Sequence, residues 1–388
     1  MVNIGLSISG YLKYGWAVPP TVDSGPRHIC FVISKLGIGG AEKNLLLLTR
    51  HLPRTRYAPV VLSLNGEGPY ADRLRAAGVP VYSLGLPHPL GLIRLVRFFR
   101  RCSFDLFHGF MFHGNIAGRL FGAVFRRPRV CAVRVAEGEK RWHLWLDRLT
   151  SSLVDCYTVN SRSLAEFVRD RQNVAPEKIS LTPNALAAED LQASMDSRSA
   201  RADLKIPRAG PLVAMIGRLH PQKDPETFVR AARRIVSEVD GAHFLIAGIG
   251  PLEDTVRRLI REMGLESQFH LPGLVSAHRV LAACDLFVLP SRWEGFPNAA
   301  IEAMAAGRAV ILADFSGASE VVDYGVTGLV FPKGDDRSLA EAAVGLLKNE
   351  SVRQEMGKAA RATVTALYSV ERMVSKNMEV YDALCSQR

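Results

Sequence analysis

Short apolar runs alternate with amphipathic stretches along most of the chain. His28–Ser34 (HICFVIS) reads as a buried strand, followed by a glycine turn over Leu36–Gly40 and a helix over Ala41–His51. The same pattern predicts strands at Ala58–Leu64, Pro80–Leu84 and Leu106–Gly109, with helices over Tyr70–Ala77, Leu90–Arg101 and Gly114–Phe125. Strands that alternate with helices in this way imply a parallel sheet covered on both faces.

The rhythm breaks over residues 185–210, which are polar, rich in small residues and end near Pro207 and Pro211. It restarts at Leu212–Ile216, with further strands at His243–Ala247, Phe269–Leu271, Asp285–Leu289, Ala309–Leu312 and Leu329–Phe331. The expected fold class is α/β: two tandem Rossmann-like, doubly wound parallel-sheet domains facing a central cleft. We expect an extension over 1–26, a first domain over 27–190, a linker over 191–210 and a second domain over 211–369. A length of 388 residues suits two such domains. In doubly wound sheets ligands bind beyond the carboxyl ends of the strands, so the chemistry is sought there.

Composition narrows the class. With 48% hydrophobic and 22% charged residues the chain reads as an ordinary globular protein. Its longest apolar runs fall short of the ~20 residues of a membrane span, and residues 1–26 lack the pattern of a secretory signal. Six scattered cysteines form no C-x-x-C pair and read as reduced thiols of a cytoplasmic protein.

The net charge of +11 lies entirely in the first half. Residues 1–200 hold 26 basic and 15 acidic residues, whereas residues 201–388 hold 23 of each. Arg94, Arg97, Arg100, Arg101, Arg126, Arg127, Arg129, Arg134, Lys140 and Arg141 carry much of the excess. Such a face suits an anionic membrane surface or an anionic substrate, or is simply solvated. No recognition motif accompanies it, which argues against nucleic acid.

The densest chemistry lies in Ser291–Gly307, SRWEGFPNAAIEAMAAG, directly after a predicted strand. Glu294, Gly295, Phe296 and Pro297 form a loop, Asn298 is the expected N-cap, and the helix stops at Gly307. Glu294 and Glu302 are two carboxylates eight positions apart. Each accepts hydrogen bonds from vicinal hydroxyls, so the pair suits a sugar or ribose, and the free amides at the helix start suit a phosphate. Arg218 and Lys223 lie on one proline-stiffened strand-to-helix loop, Ile216–Glu226, where two cations suit a pyrophosphate. Gly248 and Gly250, in Ile246–Leu252, mark a close backbone approach.

In the first half, Gly37, Gly39 and Gly40 (LGIGGAE) resemble the start of a dinucleotide fingerprint, but Glu42 stands where its third glycine belongs, which argues against nicotinamide binding. His108 and His113 are five apart and do not match a zinc pair on one helix face. One of them is expected to be structural, and His113 is the functional candidate.

Together these segments resemble the family 4 retaining glycosyltransferases, which have the GT-B fold. The resemblance runs from about Ile29 to Tyr381 and is strongest from Val213 to Phe331, through GRLHPQKD, AGIGP, CDLFVLPSRWEGFPNAAIEAMAAG and EVVDYGVTGLVFP. It implies that the family's E-x7-E motif falls on Glu294, holding hydroxyls of the transferred sugar, and on Glu302, holding the donor ribose. Arg218 and Lys223 match the pyrophosphate-binding pair. Amides around Phe296, Pro297 and Asn298 complete the contacts to phosphate and sugar. Gly39 and Gly40 match the glycine loop beside the reaction centre, and His113 the histidine near a distal sugar hydroxyl. Gly248, Gly250 and Gly273 border the base. The resemblance also implies an acceptor-binding first domain, a nucleotide-sugar-binding second domain, and a last helix (370–388) that crosses back to the first.

The function expected from this resemblance is retaining transfer of a hexose or N-acetylhexosamine, from a nucleotide-diphosphate sugar with UDP as the commoner base, to a glycan or lipid-linked acceptor in cell-surface polysaccharide synthesis. No cofactor is expected and, because no D-x-D motif occurs where one is needed, no metal. The expected setting is cytoplasmic, peripheral to the inner membrane face. The alternatives are a sugar-nucleotide epimerase or hydrolase of the same fold, and a catalytically silent nucleotide-sugar-binding protein.

Overall fold

The computed structural model describes residues 25–37, 39–86, 88, 90–135, 141–186 and 196–386. Most of the extension 1–26, Lys140, the first residues of the expected linker and the last two residues of the chain lie outside them.

Among the described residues thirteen strands form two parallel sheets. The first contains β1 (Arg27–Ile33), β2 (Tyr57–Ser63), β3 (Val81–Ser83), β4 (Leu106–Phe110), β5 (Arg129–Val133), β6 (Cys156–Val159) and β7 (Ile179–Leu181), in the order β3-β2-β1-β4-β5-β6-β7. The second contains β8 (Leu212–Ile216), β9 (His243–Ala247), β10 (Phe269–Gly273), β11 (Leu286–Leu289), β12 (Ala309–Ala313) and β13 (Leu329–Phe331), in the order β10-β9-β8-β11-β12-β13. Both orders are doubly wound and reverse between the first and fourth strands, the point where such sheets bind ligands. Three strands of the first sheet, β5 to β7, come from the region after Phe125 that the hydrophobic pattern leaves unassigned.

The chain divides into two compact units. One contains the described residues up to Ala132, together with Leu149–Tyr157 and the residues from Val380; the other contains Val133–Arg148 and Thr158–Glu379.

In the first unit β1 pairs with β2 and β4, so its residues are buried on both faces. The helix Met111–Phe125 follows β4 without a loop. Met111 makes the turn at φ +62°, a strained conformation for a residue with a side chain. Gly114 lets that helix lie on β1, since a Cβ there would come within 2.4 Å of the Val32 carbonyl oxygen. The end of the last helix, Val370–Ser386, belongs to this unit. Asp382 accepts from Arg27 at 2.7 Å, Arg56 at 2.6 Å and the Tyr57 hydroxyl at 2.6 Å.

In the second unit an apolar core runs along the sheet. The segment expected as a linker contains the helix Ser197–Asp203, whose Asp196 cap accepts from the Ser199 amide at 3.2 Å. Ala200, Leu204 and Ile206 enter the core. Buried Arg201 donates to the Ala283 and Gly210 carbonyls and to Asp285. From Asp196 onward the segment is therefore body rather than linker. Its three apolar residues are too sparse to stand out from a polar sequence.

Candidate functional site

The loops at the reversal point of the second sheet carry most of the candidate chemistry. After β8 the chain runs through Gly217 and Arg218 to a 3-10 turn, Pro221–Lys223. Asp224, at φ +47°, then caps the helix Pro225–Ile235. After β11 it runs through Ser291 to Pro297 and into the helix Asn298–Ala305.

Side chains join the two loops. The Lys223 ammonium pairs with the Glu294 carboxylate, and the Ser291 hydroxyl donates to the same oxygen at 2.6 Å. The side chains of the pair are 16% and 7% exposed, so the charges lie in a largely dry setting. Gln222 connects the loops again. Its side-chain nitrogen donates to the Trp293 carbonyl at 3.1 Å, and its backbone carbonyl accepts from the Arg292 backbone amide at 2.8 Å. Arg218 donates to Gln222 Oε1 at 3.2 Å, which ties the guanidinium to the residue that connects the loops.

Gly248 and Gly250 have a structural role that the sequence does not reveal. A Cβ at Gly248, φ +149°, would come within 1.9 Å of the Gly217 carbonyl oxygen, and one at Gly250 within 2.3 Å of the Leu219 carbonyl oxygen. Both glycines brace the backbone on either side of Arg218, helped by the Leu219 amide donating to the Ile249 carbonyl at 3.1 Å. Gly273 turns at φ +73°, and its carbonyl accepts from the Gly248 amide at 2.9 Å.

The loop holding Glu294 is fixed by equally close contacts. A Cβ on Gly295 would lie 2.0 Å from the Arg134 carbonyl oxygen, and the Gly295 carbonyl accepts from Ser161 at 3.2 Å. Phe296 is buried edge-on to Tyr368, with ring centroids 5.3 Å apart. The N-cap of the following helix is Pro297, not Asn298 as the sequence predicts. Proline has no amide hydrogen to lose there, and the Asn298 side chain turns aside to accept from Asn184 at 3.2 Å. Asn184 accepts in turn from Asn160 at 3.3 Å. These two asparagines, at the ends of β7 and β6, hold Asn298 in place and have no motif that marks them. Glu302 is half-buried on the fifth residue of the helix, which ends at Ala305, and Gly307 turns the chain just beyond it at φ +71°.

The remaining candidates lie in the first unit, beyond the adjacent strands β1 and β4. Gly39 caps the helix Gly40–His51, and the Glu42 side chain folds back over that helix start. A Cβ on Gly39 would come within 2.6 Å of the Glu42 carboxylate, which accepts from the backbone of Glu42 and Gly37. Burial pushes the Glu42 carboxyl above its ordinary range. His108 is fully buried and bonded to the Tyr381 hydroxyl at 2.8 Å, whereas His113 is exposed on the first turn of its helix. Cys30, Cys102, Cys131, Cys156 and Cys284 are buried, and burial pushes the Cys284 thiol up to about 12.

Two family profiles match the chain, and between them they cover most of it. Glycosyltransferase Family 4 matches residues 38–190, and Glycosyl transferases group 1 matches residues 196–363. The chain belongs to glycosyltransferase family 4. An Escherichia coli relative of this glycosyltransferase, UDP-Gal:alpha-D-GlcNAc-diphosphoundecaprenol alpha-1,3-galactosyltransferase, is 26% identical over 89% of the chain and 94% of that enzyme. A Mycobacterium tuberculosis GDP-mannose-dependent alpha-(1-6)-phosphatidylinositol monomannoside mannosyltransferase is 35% identical over 46% of the chain and 50% of that enzyme. The glycosyltransferase thus spans nearly all of one relative and about half of the other. Its fold is GT-B, shared with the Anabaena protein HepE solved in complex with UDP. That structure has a TM-score of 0.79 at 20% identity and covers 92% of this chain and 100% of its own.

Proposed function

We propose that the chain transfers a hexose or N-acetylhexosamine, with retention of anomeric configuration, from a UDP-sugar to a glycan or lipid-linked acceptor in cell-surface polysaccharide synthesis. The observation that carries this reading is the cluster of Arg218, Lys223 and Glu294 at the reversal point of the second sheet, beside a helix start.

The roles follow from the chemistry of the groups. Arg218 and Lys223 neutralise the departing diphosphate, and Glu294 divides its oxygens between Lys223 and hydroxyls of the sugar. Amides from Phe296 to Asn298 receive phosphate oxygen, and Glu302 receives the ribose hydroxyls. Fixed charges in a dry site stabilise a developing leaving group without reorganisation at the moment of reaction. A double displacement needs a carboxylate beneath the anomeric carbon. Glu294 is already committed to Lys223 and Ser291, which favours a same-face, ion-pair-like route in which a donor phosphate oxygen takes the acceptor proton. Two protein cations at the diphosphate fit a reaction that needs no metal.

The choice of UDP draws on HepE, solved with UDP, and on the E. coli relative, named for UDP-Gal and a diphosphoundecaprenol-linked acceptor. A cytoplasmic enzyme working at the inner membrane face fits that substrate pair. Among the described residues no helix is long and apolar enough to cross a membrane.

The test is incubation with a panel of UDP-sugars, with and without undecaprenyl-diphosphate-linked sugars, following UDP release and the product's anomeric configuration by NMR. Acceptor-dependent UDP release with retention supports the proposal. Inversion at the anomeric carbon contradicts the mechanism, and an epimerised UDP-sugar formed without acceptor favours the epimerase alternative.

A further inference from the structure

The second unit gathers charge at the other end of its sheet as well. Pro211 leads into β8 and Asp285 into β11, the two central strands, and both residues line a cavity at the amino ends of those strands. The loops that carry Arg218 and Glu294 leave from the carboxyl ends, about 16 Å away along the five residues of β8. The cavity has a volume of about 500 Å³, within the range of small-molecule sites.

Four arginines line it, Arg198, Arg201, Arg208 and Arg353, against one carboxylate, Asp285. Arg201 is structural. Its side chain is 8% exposed and is committed to the carbonyls of Ala283, Pro207, Arg208 and Gly210 and to Asp285 at 2.7 Å. Asp285 also accepts from the Leu212 amide at 2.8 Å, so the single negative charge is already matched. The same bonds hold the wall formed by residues 207–210. Gly210 secures it from behind, since at φ +82° a Cβ there would lie 2.0 Å from the Gly241 carbonyl oxygen. The cavity is therefore shaped by the fold itself.

The other three arginines are not committed in this way. Arg198 and Arg208 are exposed, and their side chains have no hydrogen-bond or carboxylate partner among the described residues. Arg353, half-buried near the start of the helix Glu350–Leu367, uses only Nη1, on the Leu346 and Leu347 carbonyls at 2.9 and 3.3 Å. Three guanidiniums thus surround one concavity with no acid to balance them. A cleft lined by one sign of charge concentrates counter-ions, and the planar fork of arginine matches phosphate oxygens in pairs. Pro211, Val239 and Leu347 add an apolar wall, which suits the carbon skeleton of a small ligand.

We infer that this cavity is a binding site for a small phosphorylated ligand, held by Arg198, Arg208 and Arg353 and separate from the loops of Arg218 and Glu294. The shared chemistry is a phosphate of at least two negative charges, carried by a free polyphosphate or by a sugar phosphate. The inference does not rest on the transferase reading, because none of these residues belongs to the donor loops.

The experiment is calorimetric titration of the full chain with inorganic pyrophosphate and, separately, with glucose 6-phosphate. Excess UDP fills any diphosphate site at Arg218 and Lys223, and all buffers are matched in ionic strength with sodium chloride. One probe molecule per chain should bind to the wild type and to Arg218→Ala alike. Arg198→Gln with Arg208→Gln should bind at least tenfold more weakly. Both side chains are exposed and unpartnered, so this variant should melt as the wild type does, and Arg208→Gln alone takes its place if it does not. Tighter binding of pyrophosphate supports a polyphosphate ligand, and tighter binding of glucose 6-phosphate a sugar phosphate that uses the apolar wall. The inference is overturned if neither probe binds the wild type or if the folded cavity variant binds both as the wild type does. Binding that is lost in Arg218→Ala and kept in the cavity variant overturns it too, by placing the probe on the donor loops. Stabilisation of the wild type by UDP, measured separately, tests the donor site, so either reading can fail while the other stands.

Discussion

Lys223 and Glu294, 71 positions apart in sequence, form an ion pair that joins the two loops at the reversal point of the second sheet. Removing one partner of a largely enclosed pair strands the other charge, at a cost of about 3–5 kcal/mol, whereas replacing both with apolar residues is often neutral. Glu294→Ala and Lys223→Ala should therefore each lower the melting temperature. Lys223→Met combined with Glu294→Leu should restore most of it while remaining inactive. Calorimetry beside a UDP-release assay reads both effects. Recovery of activity in the double variant would show that the pair serves stability alone.

Two of the proposed donor-site residues outside this pair, Glu302 and Arg218, should separate binding from turnover. Glu302→Ala should weaken UDP affinity through the ribose hydroxyls and leave the fold intact. Arg218→Ala should reduce turnover by more than about tenfold, because its charge acts on the leaving group. Steady-state kinetics with unchanged parameters in both variants would refute the assigned roles.

Gly248→Ala tests whether the glycines act by bracing backbone. The added Cβ meets the Gly217 carbonyl oxygen at 1.9 Å and must displace the strand end that carries Arg218. A loss of about 1–3 kcal/mol in stability is expected, with weaker UDP binding. Gly273→Ala, whose Cβ would meet nothing closer than Ile249 Cγ2 at 3.9 Å, should be milder and owe its cost to φ +73° alone. Chemical denaturation ranks the two, and equal losses would argue against bracing.

Glu42 offers a pH test. Burial raises its folded-state pKa above the ordinary 4.5, so the folded chain prefers the protonated form. That contribution to stability is complete below the unfolded pKa and is lost as pH rises through the folded one. Glu42→Gln, a permanent mimic of the protonated acid, should gain stability relative to the wild type between pH 4 and pH 7. Melting curves at the two pH values measure the gain, and a gap that does not change with pH contradicts the assignment.

Much of this protein is legible in its sequence, for identifiable reasons. Strands buried on both faces, such as β8 and β9, read as unbroken apolar runs, and the hydrophobic pattern places them to the residue. Glu294 and Glu302 stand out because a loop, a helix start and a stop glycine frame them. The helix Ser197–Asp203 escapes because its burial depends on Ala200 and on an arginine satisfied by carbonyls far along the chain. Asn160 and Asn184 escape for a similar reason. Their role lies in a side-chain relay to Asn298 across more than a hundred positions, and no local spacing encodes it. The glycines at 248 and 250 are visible as glycines, but only the structure shows that what they approach is the protein's own backbone.

The proposed function requires the second unit to bind a nucleoside diphosphate through Arg218, Lys223 and Glu302. The most direct test is thermal unfolding of the wild type and Glu302→Ala with UDP, GDP, ADP, CMP and NAD, without added metal. A ligand at about 100 times its dissociation constant adds about 2.7 kcal/mol, a shift of a few degrees for a chain of this size. The account predicts a selective rise in melting temperature with UDP that is reduced in Glu302→Ala. An absence of stabilisation by any nucleoside diphosphate, or the same rise in both proteins, would contradict it.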